Sequence, residues 1–236
     1  MRWTLLFALL VTFPLLARPR ILVVTATAGF RHDSIEVAEQ VLGAIAAEQD
    51  VDLEFARTED ELRQRIGFHG LSAVFFVNTT GELPAEARQS LLAWVLRGGT
   101  FAGIHSATDT WHSSPEYLEM IGAEFATHPP DAEATIVVED ATHAATKGLP
   151  SPHVMVEEIY EFVKFDRARV RLLLSTAGAP LAWEKTYGNG EVLYTALGHR
   201  EDVWQSPWFR AHVSGIMEWA LAQRTAPSRR RGARSP

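Results

Sequence analysis

A mostly parallel β-sheet with helices on both faces is the fold class this sequence predicts, and three observations carry it. Short apolar runs, Ile21–Ala26, Leu71–Val77 and Thr100–Ile104, have the composition of strands buried on both sides. Stretches with apolar residues at helical spacing alternate with them, the pattern of a parallel α/β sheet. In the second half strand-like runs follow one another without helices between them, which adds antiparallel strands to the C-terminal half.

Each element has its own signal. After the strand Ile21–Ala26 a polar loop leads to Asp33 and Ser34, either of which can cap a helix carrying Ile35, Ala38, Val41, Leu42 and Ile45. Val51–Phe55 reads as a second strand, and Leu62 with Ile66 marks a short helix. The strand Leu71–Val77 is followed by Pro84, which opens a helix with Ala87, Leu91, Leu92 and Val95 on its apolar face. Gly98-Gly99 ends that helix before the strand Thr100–Ile104. The rhythm breaks after His105, with a short helix at Pro115–Ile121 and a turn at His128-Pro129-Pro130. Thr135–Val138, Val154–Val163, Leu172–Ser175, Leu181–Lys185 and Val192–Leu197 then read as strands, with Tyr187-Gly188-Asn189-Gly190 as a hairpin turn. Phe209–Leu221 closes a single domain over residues 18–223 as an amphipathic helix.

Composition narrows the function. The chain has 236 residues, 47% of them hydrophobic and 22% charged, which suits one large globular domain. Cysteine is absent, so disulfides, thiolate metal sites and a cysteine nucleophile are excluded. The net charge of −7 is unevenly spread: residues 1–17 hold one Arg and residues 224–236 hold five, with no acid in either segment. The body is therefore strongly acidic and disfavours nucleic acid as a partner. The tail, with Arg229, Arg230, Arg231 and Arg234 among Pro, Ser and Gly, reads as a basic disordered end. At the other end, Arg2 precedes an apolar run from Leu5 to Leu16 that finishes at Ala17. That pattern predicts a signal peptide over residues 1–17, a secreted or periplasmic protein, and no membrane attachment after cleavage.

Ligands of open parallel sheets bind beyond the carboxyl ends of the strands. The first strand empties into Gly29-Phe30-Arg31-His32-Asp33, the third into Asn78-Thr79-Thr80-Gly81-Glu82, and the fourth into His105-Ser106-Ala107-Thr108-Asp109. The strand Val192–Leu197 empties into Gly198-His199-Arg200-Glu201-Asp202. Polar and ionisable groups thus gather at one edge of the sheet.

Four blocks of this chain resemble the ThuA-like (trehalose utilisation) family. They are Gly29-Phe30-Arg31-His32-Asp33-Ser34, the run Gly98-Gly99-Thr100-Phe101-Ala102-Gly103-Ile104-His105-Ser106-Ala107-Thr108-Asp109, Glu158-Ile159-Tyr160, and Tyr194-Thr195-Ala196-Leu197-Gly198-His199 followed by Trp204, Pro207, Phe209 and His212. The resemblance spans about residues 20–222 and implies a flavodoxin-like fold related to class I glutamine amidotransferases, with a link to sugar metabolism. In the amidotransferase pattern a catalytic cysteine follows the strand that ends Gly-Ile. Here His105 stands in that place, so glutamine hydrolysis through a thioester is excluded by chemistry. The histidine that partners that cysteine matches His199.

The resemblance brings His105 and His199 to one pocket, with Asp109 and Glu158 as carboxylates beside them. These four are the candidate catalytic groups, since imidazole titrates near neutral pH and a carboxylate fixes its tautomer. His32, Arg31, Thr79 and His128 are candidate substrate contacts, and Trp111 and Trp204 are candidate stacking platforms for a sugar ring. His105, His128, His199 and Glu158 can instead ligate a divalent metal, and spacing does not choose between the two roles. Each residue also has a plainer reading: His105 can tie down the segment that follows it, Asp33 can cap a helix, and the tryptophans can be core. His69, His112, His143, His153 and His212 read as surface or capping residues. The functional expectation is an exported carbohydrate-active lyase, hydrolase or isomerase acting on a glycoside or keto-glycoside, with a small carbohydrate as ligand and a homodimer as one assembly. The alternative is a non-catalytic carbohydrate-binding module on the same scaffold. Hydrolysis by paired carboxylates has no support in the spacing of the acids.

Overall fold

The structure, a computed structural model, describes residues 17–223. The apolar run Leu5–Leu16 and the tail 224–236 lie outside the described residues. The chain begins β1 (Arg20–Val24), α1 (Ile35–Glu48), β2 (Asp52–Ala56), α2 (Glu59–Gln64), β3 (Ala73–Val77), α3 (Ala85–Leu96) and β4 (Thr100–Ile104). A 3-10 turn, His105–Asp109, leads to α4 (Pro115–Ile121), β5 (Glu124–Thr127), β6 (Ala132–Val138), β7 (His153–Glu157) and β8 (Glu161–Val163). Then come β9 (Arg171–Thr176), β10 (Ala179–Tyr187), β11 (Gly190–Thr195), α5 (Glu201–Gln205) and α6 (Pro207–Ala222).

Nine strands form one sheet in the order β2-β1-β3-β4-β11-β10-β9-β6-β7. The first five are parallel and the last four antiparallel. Strands β3 and β4 are buried at every residue, as the apolar runs require of strands covered on both faces. Helices α1, α5 and α6 touch one another in one layer, and α3 links α2 to α4 in a second. The chain leaves β1 towards β2 and leaves β3 towards β4, so the strand order reverses between β1 and β3.

Three local features depart from the sequence reading, and each has a physical reason. The run Val154–Val163 is two strands rather than one, because Glu158, Ile159 and Tyr160 leave the pairing between β7 and β8. Neither Asp33 nor Ser34 caps α1 through its side chain; the Ser34 hydroxyl instead donates to Gly198 O at 3.4 Å and accepts from Asn78 Nδ2 at 3.0 Å. Asn78 Nδ2 also reaches Gly198 O at 3.2 Å, which ties together the segments following β1, β3 and β11. His143 and His212 are buried, not surface residues, and His143 keeps a local role, its Nδ1 accepting from Ala145 N–H at 3.1 Å. His212 Nδ1–H donates to Ala145 O at 2.7 Å while Nε2 accepts from the Thr195 hydroxyl at 3.2 Å, so both nitrogens of a neutral ring are satisfied without water.

The antiparallel end has a further consequence for the site. Strand β6 meets β9 only at Val137↔Ser175 and Val138↔Leu174, but pairs with β7 over five positions from Ala132↔Glu157 to Ile136↔His153. The β6–β7 ribbon therefore reaches past the sheet, with Asp131 and Glu157 at its tip.

Two predictions follow from the packing of α6. An alanine Cβ at Gly215 would sit 2.1 Å from Ala144 O. Helix propensity alone favours Ala over Gly by about 1 kcal/mol, but that carbonyl reverses the sign. Gly215→Ala should therefore destabilise the fold by about 1–3 kcal/mol, read as a lowered urea midpoint. Burial pushes the His212 pKa down to about 4, the Ala145 hydrogen bond opposing and His143 adding to the effect. The unfolded chain binds the proton from its ordinary value of 6.5 downward while the folded chain resists it. Stability should fall as pH drops from about 6.5 to about 4, and His212→Gln should flatten that part of the urea-midpoint profile.

Candidate functional site

His105 stands immediately after β4 with φ +52, a left-handed backbone that costs a non-glycine residue about 1–3 kcal/mol. Two contacts hold it there. The Tyr194 hydroxyl donates to His105 O at 2.6 Å, and the ring's Nδ1–H donates to Ala196 O at 2.8 Å. A carbonyl only accepts, so the proton resides on Nδ1 and the lone pair of Nε2 faces outward from the strand end.

Four groups converge on that nitrogen. His32 Nε2 lies at 3.2 Å, His199 Nδ1 at 3.3 Å, Glu158 Oε2 at 3.3 Å and the Tyr160 hydroxyl at 3.0 Å. His199 Nδ1 and Glu158 Oε2 are 3.4 Å apart. Together His32, His105, Glu158 and His199 offer one ligand atom each within 4.8 Å of one another. His105 is fully buried beneath His32 and His199, which line an open cleft of about 510 Å³ with Phe30, Asp33, Asp131, Arg200, Glu201 and Asp202.

The protonation states follow from the surroundings. Burial, then the His105 and His199 rings, lowers the His32 pKa to about 3. Burial, then His105, also lowers that of His199. Burial alone would raise Glu158, but its contact with His105, and then the nearby His199 and His128 rings, outweigh it and hold the carboxyl below its usual range. At neutral pH His32 and His199 are thus neutral imidazoles beside a Glu158 carboxylate.

A second layer fixes these groups. His128 Nδ1 is 2.9 Å from Glu158 Oε1 and 3.0 Å from Pro129 O, so it backs the carboxylate instead of joining the converging set. His32 takes the place that the sequence reading gave to His128. Asp131 lies 3.9 Å from His199 Nε2 and accepts from Arg200 at 2.9 Å. Glu157, fully buried, accepts the backbone N–H groups of Gly198 at 2.8 Å and His199 at 2.7 Å on one oxygen. Burial pushes its carboxyl up to about 7, with His105 and the two N–H donors opposing.

Several expected contacts lie elsewhere. The Asp109 carboxylate is on His112 Nε2 at 2.7 Å, and His112 Nδ1 is held by Glu124 at 2.8 Å. Thr79 is buried against the Thr110 hydroxyl at 2.8 Å. Arg31 is paired with Glu36 at 2.9 Å. Trp111 and Trp204 are fully buried and donate to Leu83 O and Gly198 O at 2.7 and 2.8 Å, so neither offers a face to a sugar. Glu157, Asp131 and the Tyr160 hydroxyl received no role from the sequence. The one signal for Tyr160 was its place in the Glu-Ile-Tyr block; Glu157 and Asp131 depend on the ribbon tip, which no local pattern marks.

Fold and centre together define a flavodoxin-like α/β protein with a three-histidine, one-glutamate cluster beyond the carboxyl ends of its parallel strands. The family model described as "ThuA: Trehalose utilisation" matches residues 20–220, and the chain belongs to that family. Among solved structures, a ThuA-like protein from Parabacteroides merdae superposes with a TM-score of 0.75 at 19% identity, covering 91% of this chain and 93% of that one. A ThuA-like protein from Bacteroides uniformis gives 0.73 at 16% identity over 89% and 94%. The cytoplasmic protein STM1381 from Salmonella typhimurium gives 0.62 at 14% identity over 87% and 98%. No curated protein matches the chain.

Glu157 supplies the test of this arrangement. Glu157→Ala leaves two buried N–H groups without an acceptor and should cost about 1–3 kcal/mol, whereas Glu157→Gln keeps a carbonyl oxygen there and should stay near wild type. Urea midpoints of the two variants check the difference.

Proposed function

We propose that the chain is an exported enzyme of carbohydrate metabolism that works on a glycoside or keto-glycoside through the His32, His105, His199 and Glu158 centre with a divalent metal. The observation that carries this reading is the convergence of three imidazole nitrogens and one carboxylate oxygen around a single point. Four of the six distances among these atoms are 3.2–3.4 Å, against an edge of about 3.3 Å in a tetrahedron of ligands at 2.0–2.1 Å from an ion, and all six lie within 4.8 Å. A lone pair on His105 Nε2 facing a carboxylate oxygen and other ring nitrogens is repulsive unless a proton or a cation lies among them. The donor set of neutral nitrogen and carboxylate oxygen suits zinc and its first-row neighbours.

His32 Nε2, His105 Nε2, His199 Nδ1 and Glu158 Oε2 would hold the ion, and its chemistry is polarisation of a carbonyl or hydroxyl oxygen. The Ala196 carbonyl keeps His105 in the required tautomer, and Asp131 and His128 orient His199 and Glu158 from behind. The Tyr160 hydroxyl, now on His105 Nε2 at 3.0 Å, would be free to donate to a substrate oxygen if that nitrogen held a cation. The family's description supports a sugar as substrate. The basic residue and apolar run at the start of the chain support export.

Calorimetric titration with zinc or manganese should give one site per chain, and His105→Ala and His199→Ala should abolish it. An ion held at 100 times its Kd should raise folding stability by about 2.7 kcal/mol. Incubation with disaccharides and 3-keto-glycosides should yield new species with wild type and none with either variant. Sugar binding without any product would favour the binding-module reading instead.

A further inference from the structure

We infer that the cleft above the histidine cluster receives an uncharged sugar ring on the face of Phe30 and turns away phosphorylated or carboxylated sugars. This rests on the carbohydrate reading above and adds the class of sugar and the residue that selects it. Trp111 and Trp204 are sealed in the core, so the aromatic platform must come from elsewhere. Phe30 is 66% exposed, the most exposed of the large apolar side chains among the described residues. It lies on the cleft wall, its ring 4.9 Å from that of His32 and perpendicular to it.

The backbone that carries Phe30 is fixed. Phe30 O accepts from the Thr80 hydroxyl at 2.7 Å, and Ala28 N–H donates to Thr80 O at 2.9 Å. Gly81, at φ +76, lets the two loops approach so closely that a Cβ there would stand 2.7 Å from Gly29 N. An exposed ring on so constrained a loop keeps its apolar face in water at a cost, which a ligand with an apolar face removes. The axial C–H face of a pyranose has that shape.

Charge selects among sugars. Asp33, Asp131, Glu201 and Asp202 line the same cleft against the one guanidinium of Arg200. That guanidinium is already engaged, with Asp131 at 2.9 Å and Asp202 at 2.9 and 3.1 Å. Arg31, on the adjoining loop, is paired with Glu36. In the metal-free chain a phosphate would meet carboxylates, with no free guanidinium or ammonium among the described residues of the walls to receive it, and a concave wall focuses that field. Hydroxyl groups meet acceptors on every side.

The test titrates the full chain, metal-free and zinc-loaded, with methyl glucoside, trehalose and glucose 6-phosphate by calorimetry. In the metal-free chain methyl glucoside or trehalose should bind at least about tenfold more tightly than glucose 6-phosphate, a difference of roughly 1.4 kcal/mol, and the gap should shrink at high salt. Phe30→Ala should weaken the neutral sugar about tenfold while Phe30→Trp retains it, with the thermal midpoint of both unchanged because the ring is exposed. Asp33→Lys should narrow the gap between neutral and phosphorylated sugar. Equal or tighter binding of the phosphorylated sugar, unchanged affinity in Phe30→Ala, or no sugar binding in either form of the chain would overturn the inference. Loss of zinc binding with the sugar preference intact would count only against the metal centre.

Discussion

The centre depends on where one proton sits. Because the Ala196 carbonyl takes the Nδ1–H of His105, Nε2 is left as an acceptor aimed at His32, His199, Glu158 and Tyr160. The backbone supplies that carbonyl from the residue just past β11, and the left-handed turn at His105 aims the ring towards it. Two adjacent parallel strands, β4 and β11, thus set both the position and the tautomer of the same ring. Sheet register, and not a flexible loop, determines which atom of His105 meets its neighbours.

Much of this was legible in the sequence, and the limits of legibility are physical. Continuous apolar runs announce strands buried on both faces, so β1, β3 and β4 read clearly, and the rule of carboxyl ends placed His32, His105 and His199 at one edge. The break within Val154–Val163 was invisible, because valines suit a strand whether or not three residues between them leave the ladder. That break delivers Glu158 and Tyr160 to the centre. The exchange of His128 for His32 among the converging atoms also depends on side-chain direction, which sequence spacing does not encode. Tryptophans near polar loops invited a sugar-platform reading, but their indole N–H groups find backbone carbonyls inside the core.

Buried polar groups tie distant segments of the domain together. Asn78 and Ser34 stitch the loops of three strands through Gly198 O, and His212 links α6 to the segment at Ala145 and to β11. Each replaces a local cap or a surface contact with a long-range one. Such bonds make the loop cluster a property of the whole domain, since none of its members is positioned by its own element alone.

The ribbon of β6 and β7 joins the margin of the sheet to the histidine cluster. Strand β7 has a neighbour on one side only, and its exposed Val154 and Val156 give it little cover. Marginal strands are where fraying starts, yet this one ends in the carboxylate that grips the backbone of His199. Peeling of the outermost strand and disassembly of the histidine cluster are therefore one event. Whatever docks along that border, or pries it loose, acts on the histidine cluster at a distance.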